Sequence, residues 1–292
     1  MKFGILGGGF GLYGYLPALC ELDFELHLLD RYKKSVYQRI ELHKYASRLI
    51  YHDNEFSLIK NVNNLVIARI PENQFNIVSN LPLDIKSLFL EKPLSQNFTT
   101  HSILLQKIQS SGKTFSVGYL FPFSQWWTKL VNIFCQGTSK IVLIEWGVVN
   151  PQNNWKSNPN VGGSIADFYG IHFVPLFHEI KCKISDLRVT QTNSELIIRV
   201  YNSTKVSLQL TIKYSNNNNF TIRVLDFNDV SRELYAAETP FGVTPKLGER
   251  DPRVDLIKNY IKDSNRTHSS FLIELLAIDF RKVSFESLVS AI

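Results

Sequence analysis

The chain opens MKFGILGGGFG, an apolar stretch that runs straight into a cluster of glycines. A strand ending in glycines and leading into a helix restricts the fold strongly, because the backbone must turn tightly and leave room beside the turn. Four more apolar runs follow: FELHLLD (24–30), NNLVIAR (63–69), SLFLEKP (87–93) and TFSVGYL (114–120). Helical stretches are expected between them at Leu12–Leu22, Lys34–Tyr45 and Thr99–Ser110. Continuous apolar strands alternating with helices indicate a parallel sheet covered on both faces. The expectation for residues 1–120 is an α/β dinucleotide-binding domain, a doubly wound Rossmann sheet.

Beyond about residue 138 the rhythm changes. SKIVLIEWGVV, SELIIRVY, KVSLQLTIKY and FTIRVLDF read as strands. In the third, Leu208, Leu210, Ile212 and Tyr214 alternate with Ser207, Gln209, Thr211 and Lys213. That period marks a sheet with one wet face, typically antiparallel. The NNNN run at 216–219 is expected to be a hairpin turn, and helices are expected at 252–262 and 269–289. Residues 121–292 therefore read as a second, α+β domain with an open, largely antiparallel sheet.

Composition removes several functional classes. No apolar run approaches the roughly 18–20 residues of a membrane helix. The start of the chain lacks a secretory pattern, so the expected location is the cytoplasm. Cys20, Cys135 and Cys182 are dispersed and read as buried reduced thiols, and glycosylation-type triplets at Asn97, Asn202, Asn219 and Asn265 carry no meaning there. The seven histidines include no closely spaced ligand set, so no metal is expected. A net charge of +6 without a basic run argues against a nucleic-acid arm and fits either an anionic small substrate or simple solubility.

The glycine stretch satisfies G-x-G-x-x-G at Gly9, Gly11 and Gly14. The preceding strand favours Gly7, Gly9 and Gly11 as the turn, with Leu12 where the third glycine usually stands. Such a turn brings backbone N–H groups, including that of Phe10, to a pyrophosphate. Asp30 ends the second strand about 20 residues on, where a carboxylate accepts the ribose hydroxyls and repels a 2′-phosphate. The competing reading of Asp30 is a plain turn residue. Arg31 follows directly and is within reach of a 2′-phosphate, so both NAD and NADP stay open as cofactors.

With these pieces in place, the chain resembles the Gfo/Idh/MocA family of oxidoreductases over nearly its whole length. The resemblance rests on GILGGGFGLYGYLPAL, Asp30, IARIPEN at 67–73, EKPL at 91–94, SVGYLFPF at 116–123 and NNWKSNPNVGGSIADFYGIH at 153–172. It implies hydride transfer between nicotinamide and a sugar-type, cyclitol or nucleotide-sugar hydroxyl or carbonyl. It also implies a homo-oligomer, with residues 121–292 as the substrate-binding and oligomerisation domain. Ala68 and Pro71, within IARIPEN, and Glu91 and Lys92 join the cofactor-binding set. The resemblance places Lys92 between nicotinamide and substrate and makes His172 the residue that exchanges the substrate proton. Histidine titrates near neutrality and suits that exchange, and an ammonium stabilises an alkoxide-like oxygen.

One departure concerns VGGSIADFYGIH. The family pattern sets an aspartate four residues before the histidine, where this chain has Phe168, and Ser164 replaces a third glycine. Asp167 lies five residues before His172, about 140° round a helix. Ser164-x-x-Asp167 has the spacing of a capping pair, so Asp167 is expected to be chiefly a cap. Tyr169 shares the face of His172 and is the candidate for the missing hydrogen-bonding role. Leu120 and Pro122 stand where relatives often carry Asn and Arg. The tryptophans Trp126, Trp127, Trp146 and Trp155 read as core more than as a sugar-stacking surface. The broken Asp/His pair keeps two alternatives alive: reduction of a C=N or other non-sugar group, and a non-catalytic dinucleotide-binding protein.

Overall fold

The structure is a computed structural model and describes residues 1–136, 140–152, 154–200, 206–226, 230–263 and 266–290. Asn153, Asn202 and Asn265 fall outside the described residues. The chain forms two compact units. The first holds Met1–Ser95, Thr100–Leu120 and Thr244–Phe271; the second holds Gln96–Thr99, Phe121–Val243 and Leu272–Ile292.

In the first unit, strands β1 (Lys2–Leu6), β2 (Glu25–Leu29), β3 (Leu49–His52), β4 (Asn64–Ile67), β5 (Ser87–Leu90) and β6 (Thr114–Val117) form one sheet. Its order is β3-β2-β1-β4-β5-β6 and every pairing is parallel. The strand order reverses between β1 and β4, which makes the carboxyl ends of those strands the ligand edge of such a sheet. Strand interiors are mainly apolar, as burial on both faces demands: Leu26, Leu28, Leu65, Val66, Leu88 and Leu90 are buried. Buried His27 in β2 is satisfied by His52 at 2.8 Å and Glu25 at 2.8 Å. Strand β3 was not expected from the sequence, because LIYH is short and half-exposed.

Helix α1 (Leu16–Glu21) is preceded by a π-helical turn at Gly11–Tyr15 instead of continuing a single α-helix from Leu12. Pro17 supplies no N–H to the turn before it, and the N–H of Leu16 reaches back to Gly11. Helix α2 (Lys33–Gln38) stops at extended Arg39, and Ile40–Arg48 continues as a 3-10 helix. Helices α3 (Glu55–Lys60), α4 (Pro71–Ser79) and α5 (Phe98–Ser110) complete the connections.

The second unit contains α6 (Trp127–Cys135), β7 (Lys140–Val149), α7 (Ile165–Phe168), α8 (Val174–Glu179), β8 (Leu187–Gln191), β9 (Glu195–Val200), β10 (Val206–Ser215), β11 (Asn219–Leu225) and β12 (Ser231–Ala237). The sheet order is β12-β11-β7-β10-β9-β8. All pairings are antiparallel except β7 with β10. Leu208, Leu210 and Ile212 are buried on one face, in agreement with the alternation read from the sequence. NNNN is not a hairpin turn between paired strands, because β7 lies between β10 and β11. The asparagines instead cross the end of β7, where Asn218 Oδ1 accepts the Val149 N–H at 3.1 Å. Three of the four tryptophans (Trp126, Trp127 and Trp146) are core, and Trp126 Nε1 donates to Pro240 O at 2.8 Å. Cys135 is exposed at the end of α6 whereas Cys20 and Cys182 are buried; the apolar face of α6 is made by Trp127, Leu130, Ile133 and Phe134, which leaves Cys135 outside it.

Residues 244–271 belong to the first compact unit, together with 1–95 and 100–120. Helix α9 (Arg253–Lys262) buries Val254, Ile257, Tyr260 and Ile261, and the Tyr260 hydroxyl donates to Ser116 Oγ at 2.7 Å. Helix α10 (Arg266–Ser290) ends the described chain. No described helix is long and apolar enough to cross a membrane.

An ionic cluster fastens 244–271 to α1. Arg250 donates to both oxygens of Glu21 at 2.9 and 2.8 Å, and Lys258 Nζ donates to Oε2 at 2.9 Å. Burial alone would raise the Glu21 carboxyl, but hydrogen bonds from Arg250, Lys258 and Tyr45 pull it down to about 2. A folded value below the unfolded one gives stability at neutral pH that disappears as pH falls through the carboxylate range towards 2. With solvent screening the contribution is about 1 kcal/mol. Glu21→Gln should therefore lower the neutral-pH melting temperature and flatten its fall on the acid side; an unchanged acid limb would refute this assignment.

Candidate active site

In the first unit, candidate residues lie at the carboxyl ends of the parallel strands. After β1, a Cβ on Gly7 would stand 2.3 Å from Ala68 O, so the chain crosses the end of β4 in direct backbone contact. Gly9 is exposed, and a Cβ there would meet nothing within 4 Å. On Gly11 it would meet Ile5 at 3.0 Å, the close helix-to-strand approach. Phe10 folds back over Gly14, and the Arg253 guanidinium lies 4.4 Å from its ring centre. No side chain caps the turn opened by Gly11; the Leu12 and Tyr13 N–H groups donate to Gly9 O at 2.9 and 3.4 Å, so an anion would be met by the amides ahead of them at the positive end of the turn. Asp30 is exposed at the end of β2. An open cradle, uncapped amides and an exposed carboxylate fit a dinucleotide.

Lys92 follows β5 and is buried rather than at the surface, with 8% of its side chain exposed. Its Nζ stands 3.9 Å from Glu91 Oε2. Burial pushes the Glu91 carboxyl up, against the pull of Lys92 and the Tyr15 hydroxyl, which donates to Oε1 at 2.8 Å. Burial and the neighbouring Glu91 raise Tyr15 far above the ordinary phenol value. A Cβ on Gly118 would come within 2.5 Å of Glu91 Oε1, so this buried pair needs a glycine there. Pro71 is buried at the first turn of α4, and Ala68 N–H donates to Leu6 O at 2.9 Å, next to the glycine turn.

The remaining candidate residues belong to the second unit. Ser164 caps α7 by accepting the Asp167 N–H at 3.0 Å, and its hydroxyl donates to Asp167 Oδ2 at 3.0 Å. The expected capping pair is present. His172 is carried on a 3-10 turn, Gly170–Phe173, and not on a continuous α-helix. It is buried, its ring stacks on Phe121 at 4.7 Å, and Trp146 and Phe241 close round it at 6.0 and 6.1 Å. Tyr169 leans on the same Trp146 at 5.2 Å. Burial, followed by Tyr214, raises its phenol above the ordinary value.

Asp167 has a second role that its cap spacing did not disclose. Arg281 Nε donates to its Oδ1 at 2.6 Å, with side-chain exposures of 2% and 17%. Removing one charge of a buried pair costs about 3–5 kcal/mol, far above the roughly 1 kcal/mol of a cap. Asp167→Asn should lower unfolding free energy by about 3 kcal/mol; a loss under about 1 kcal/mol in denaturant titration would show that the pair behaves as a surface one.

No family model matches the sequence, and no curated protein matches it. Solved structures do match in fold. The WlbA (WbpB) dehydrogenase from Thermus thermophilus in complex with NAD and UDP-GlcNAcA is 13% identical over 98% of this chain and 94% of its own, with a TM-score of 0.67. A Gfo/Idh/MocA family oxidoreductase from Vibrio cholerae is 13% identical over 100% and 98%, at 0.70. The super-repressor mutant of Gal80p from Saccharomyces cerevisiae is 12% identical over 100% and 96%, at 0.70. The chain has the Gfo/Idh/MocA fold.

Within this Gfo/Idh/MocA fold, one supporting residue was invisible in the sequence. Gln74 on α4 is fully buried, donates to Glu91 O at 2.6 Å and accepts the Glu91 N–H at 3.1 Å. Weaker contacts reach Pro93 O and Leu94 O at 3.4 and 3.3 Å. One amide thus holds the backbone on both sides of Lys92. Nothing in PENQF signals that role, since an isolated glutamine on a helix is ordinarily solvated.

Proposed function

We propose that the protein is an NAD(P)-dependent oxidoreductase acting on the hydroxyl or carbonyl carbon of a sugar, cyclitol or nucleotide-linked sugar. The observation that carries this reading is the covered Lys92 side chain, its flanking backbone held by Gln74, at the same sheet edge as the open glycine cradle. Gly7, Gly9, Phe10, Gly11 and Asp30 hold the dinucleotide, which when bound supplies or accepts the hydride. Lys92 donates to the substrate oxygen and stabilises its developing negative charge. His172 takes the proton from that oxygen during oxidation and returns it during reduction. Its aromatic walls exclude water from the imidazole, and Tyr169 donates alongside. The complex of WlbA with UDP-GlcNAcA supports a substrate of this class, and the net charge of +6 suits an anionic one. We place the enzyme in the cytoplasm as a homo-oligomer.

A second reading has a specific observation behind it. Asp167 is committed to Ser164 and Arg281, which leaves the acid–base set reduced, and one neighbour in fold is a super-repressor mutant. Fold alone therefore does not decide for catalysis. The deciding experiment titrates NADH and NADPH by fluorescence, then screens turnover against sugars, inositols, UDP-sugars and cyclic imines. Turnover of a hydroxyl or carbonyl compound supports the main reading, and turnover of imines alone replaces it with C=N reduction. Tight dinucleotide binding without turnover makes the protein a cofactor-binding partner.

A further inference from the structure

Three strand ends converge on one charged cluster in the first unit. Arg31 follows β2 beside exposed Asp30, Glu55 opens α3 after β3, and Arg69 follows Ala68 after β4. Glu55 Oε1 accepts from Arg31 at 2.8 Å and from Arg69 at 2.6 Å. Arg69 also reaches the Tyr32 hydroxyl at 3.4 Å, and the Arg31 guanidinium lies 5.4 Å from the Tyr32 ring centre. Burial opposes ionisation of Glu55, but Arg69 and Arg31 outweigh it and hold the carboxyl below its ordinary range. Glu55 itself is placed by Asn54, whose side chain accepts the Ser57 N–H at 2.9 Å and caps α3.

The cluster carries two guanidiniums and two carboxylates, so its charges cancel. A 2′-phosphate brings close to two negative charges and calls for free guanidiniums, whose fork matches phosphate geometry. Both guanidiniums of the cluster are already engaged by one carboxylate, that of Glu55. We propose that Glu55 sets the cofactor choice by holding Arg31 and Arg69 on its own oxygen, which keeps the site for NAD and denies it to NADP. Asp30 contributes direct repulsion, while Glu55 acts at one remove, through the two arginines. Glu55 is a positioning residue for cofactor choice.

The inference rests on the dinucleotide reading above, and its test separates the two. NADH and NADPH are titrated into the full chain by fluorescence. The wild type should prefer NADH, and Glu55→Gln, which removes the charge while keeping the shape, should raise NADPH affinity relative to NADH by about tenfold, the value of one charge-assisted hydrogen bond. Adding Arg31→Ala and Arg69→Ala to Glu55→Gln should return the ratio to its starting value. Glu55→Asp keeps the charge but shortens its reach, so a smaller gain of the same sign is expected and serves should Glu55→Gln fold poorly. Wild-type preference for NADPH, or a ratio unmoved in both Glu55 variants, overturns the inference while leaving the dinucleotide site standing. Binding of neither cofactor by the wild type overturns both.

Discussion

Replacing His172 by glutamine is expected to lower turnover by about 10²–10⁴-fold, the usual cost of losing general acid–base help. Glutamine is preferred to alanine as the test because His172 is buried and stacked on Phe121 at 4.7 Å. Alanine there opens a void among Phe121, Trp146 and Phe241, and cavities in aromatic cores cost stability of their own. Glutamine keeps volume and hydrogen-bonding capacity but cannot titrate. The loss should therefore fall on kcat and remove one limb of the pH–rate profile, since only a titrating group produces such a limb. Lys92→Met should give a loss of similar size by a different route, because it takes a buried cation from the developing oxyanion. Its neighbour Glu91, already pushed up by burial, loses the nearby ammonium that favours its charged form. The pH dependence of Lys92→Met should then shift, whereas that of His172→Gln should simplify. A His172→Gln protein with wild-type kcat and an unaltered profile would remove the histidine from the chemistry.

The features that were readable in the sequence are those with a local period. Parallel strands announce themselves by continuous apolar runs and the outer sheet by alternation, so the strand set from β1 to β11 was largely legible. Three strands escaped notice: β3, β8 and β12 are short or half-exposed, and LIYH, LRVTQ and SRELYAA carry no clean pattern. NNNN has good turn chemistry, but turn residues do not reveal which strand is inserted beside them, and β7 arrives there from about 70 residues earlier. The same limit governs the site. Ser164 and Asp167 are three residues apart and their cap was visible, whereas the Arg281 partner of Asp167 is 114 residues away. The aromatic walls of His172 come from Phe121, Trp146 and Phe241, and the brace on the Lys92 backbone comes from Gln74. Residues whose function depends on such distant partners look ordinary until the chain is folded.

Gly9→Val is expected to abolish dinucleotide binding and to leave the melting temperature nearly unchanged. A Cβ at Gly9 meets nothing within 4 Å and the residue is exposed, so the folded chain has room for the new side chain. Exposed substitutions away from special features usually change stability by no more than about 0.5 kcal/mol. The space is open because a pyrophosphate must approach the backbone there, and two methyl groups would occupy it. Gly7→Ala supplies the contrast. Its Cβ would stand 2.3 Å from Ala68 O, a backbone atom that cannot swing aside. Overpacking of this kind costs about 1–3 kcal/mol, so Gly7→Ala should lower the melting temperature first and binding only as a consequence. Two neighbouring glycines thus fail in opposite ways, one by losing a ligand and the other by losing stability. Near-normal NADH titration of Gly9→Val would mean that the open space beside Gly9 is not where the cofactor lies, and the cradle would have to be sought elsewhere along the ends of β1 and β4.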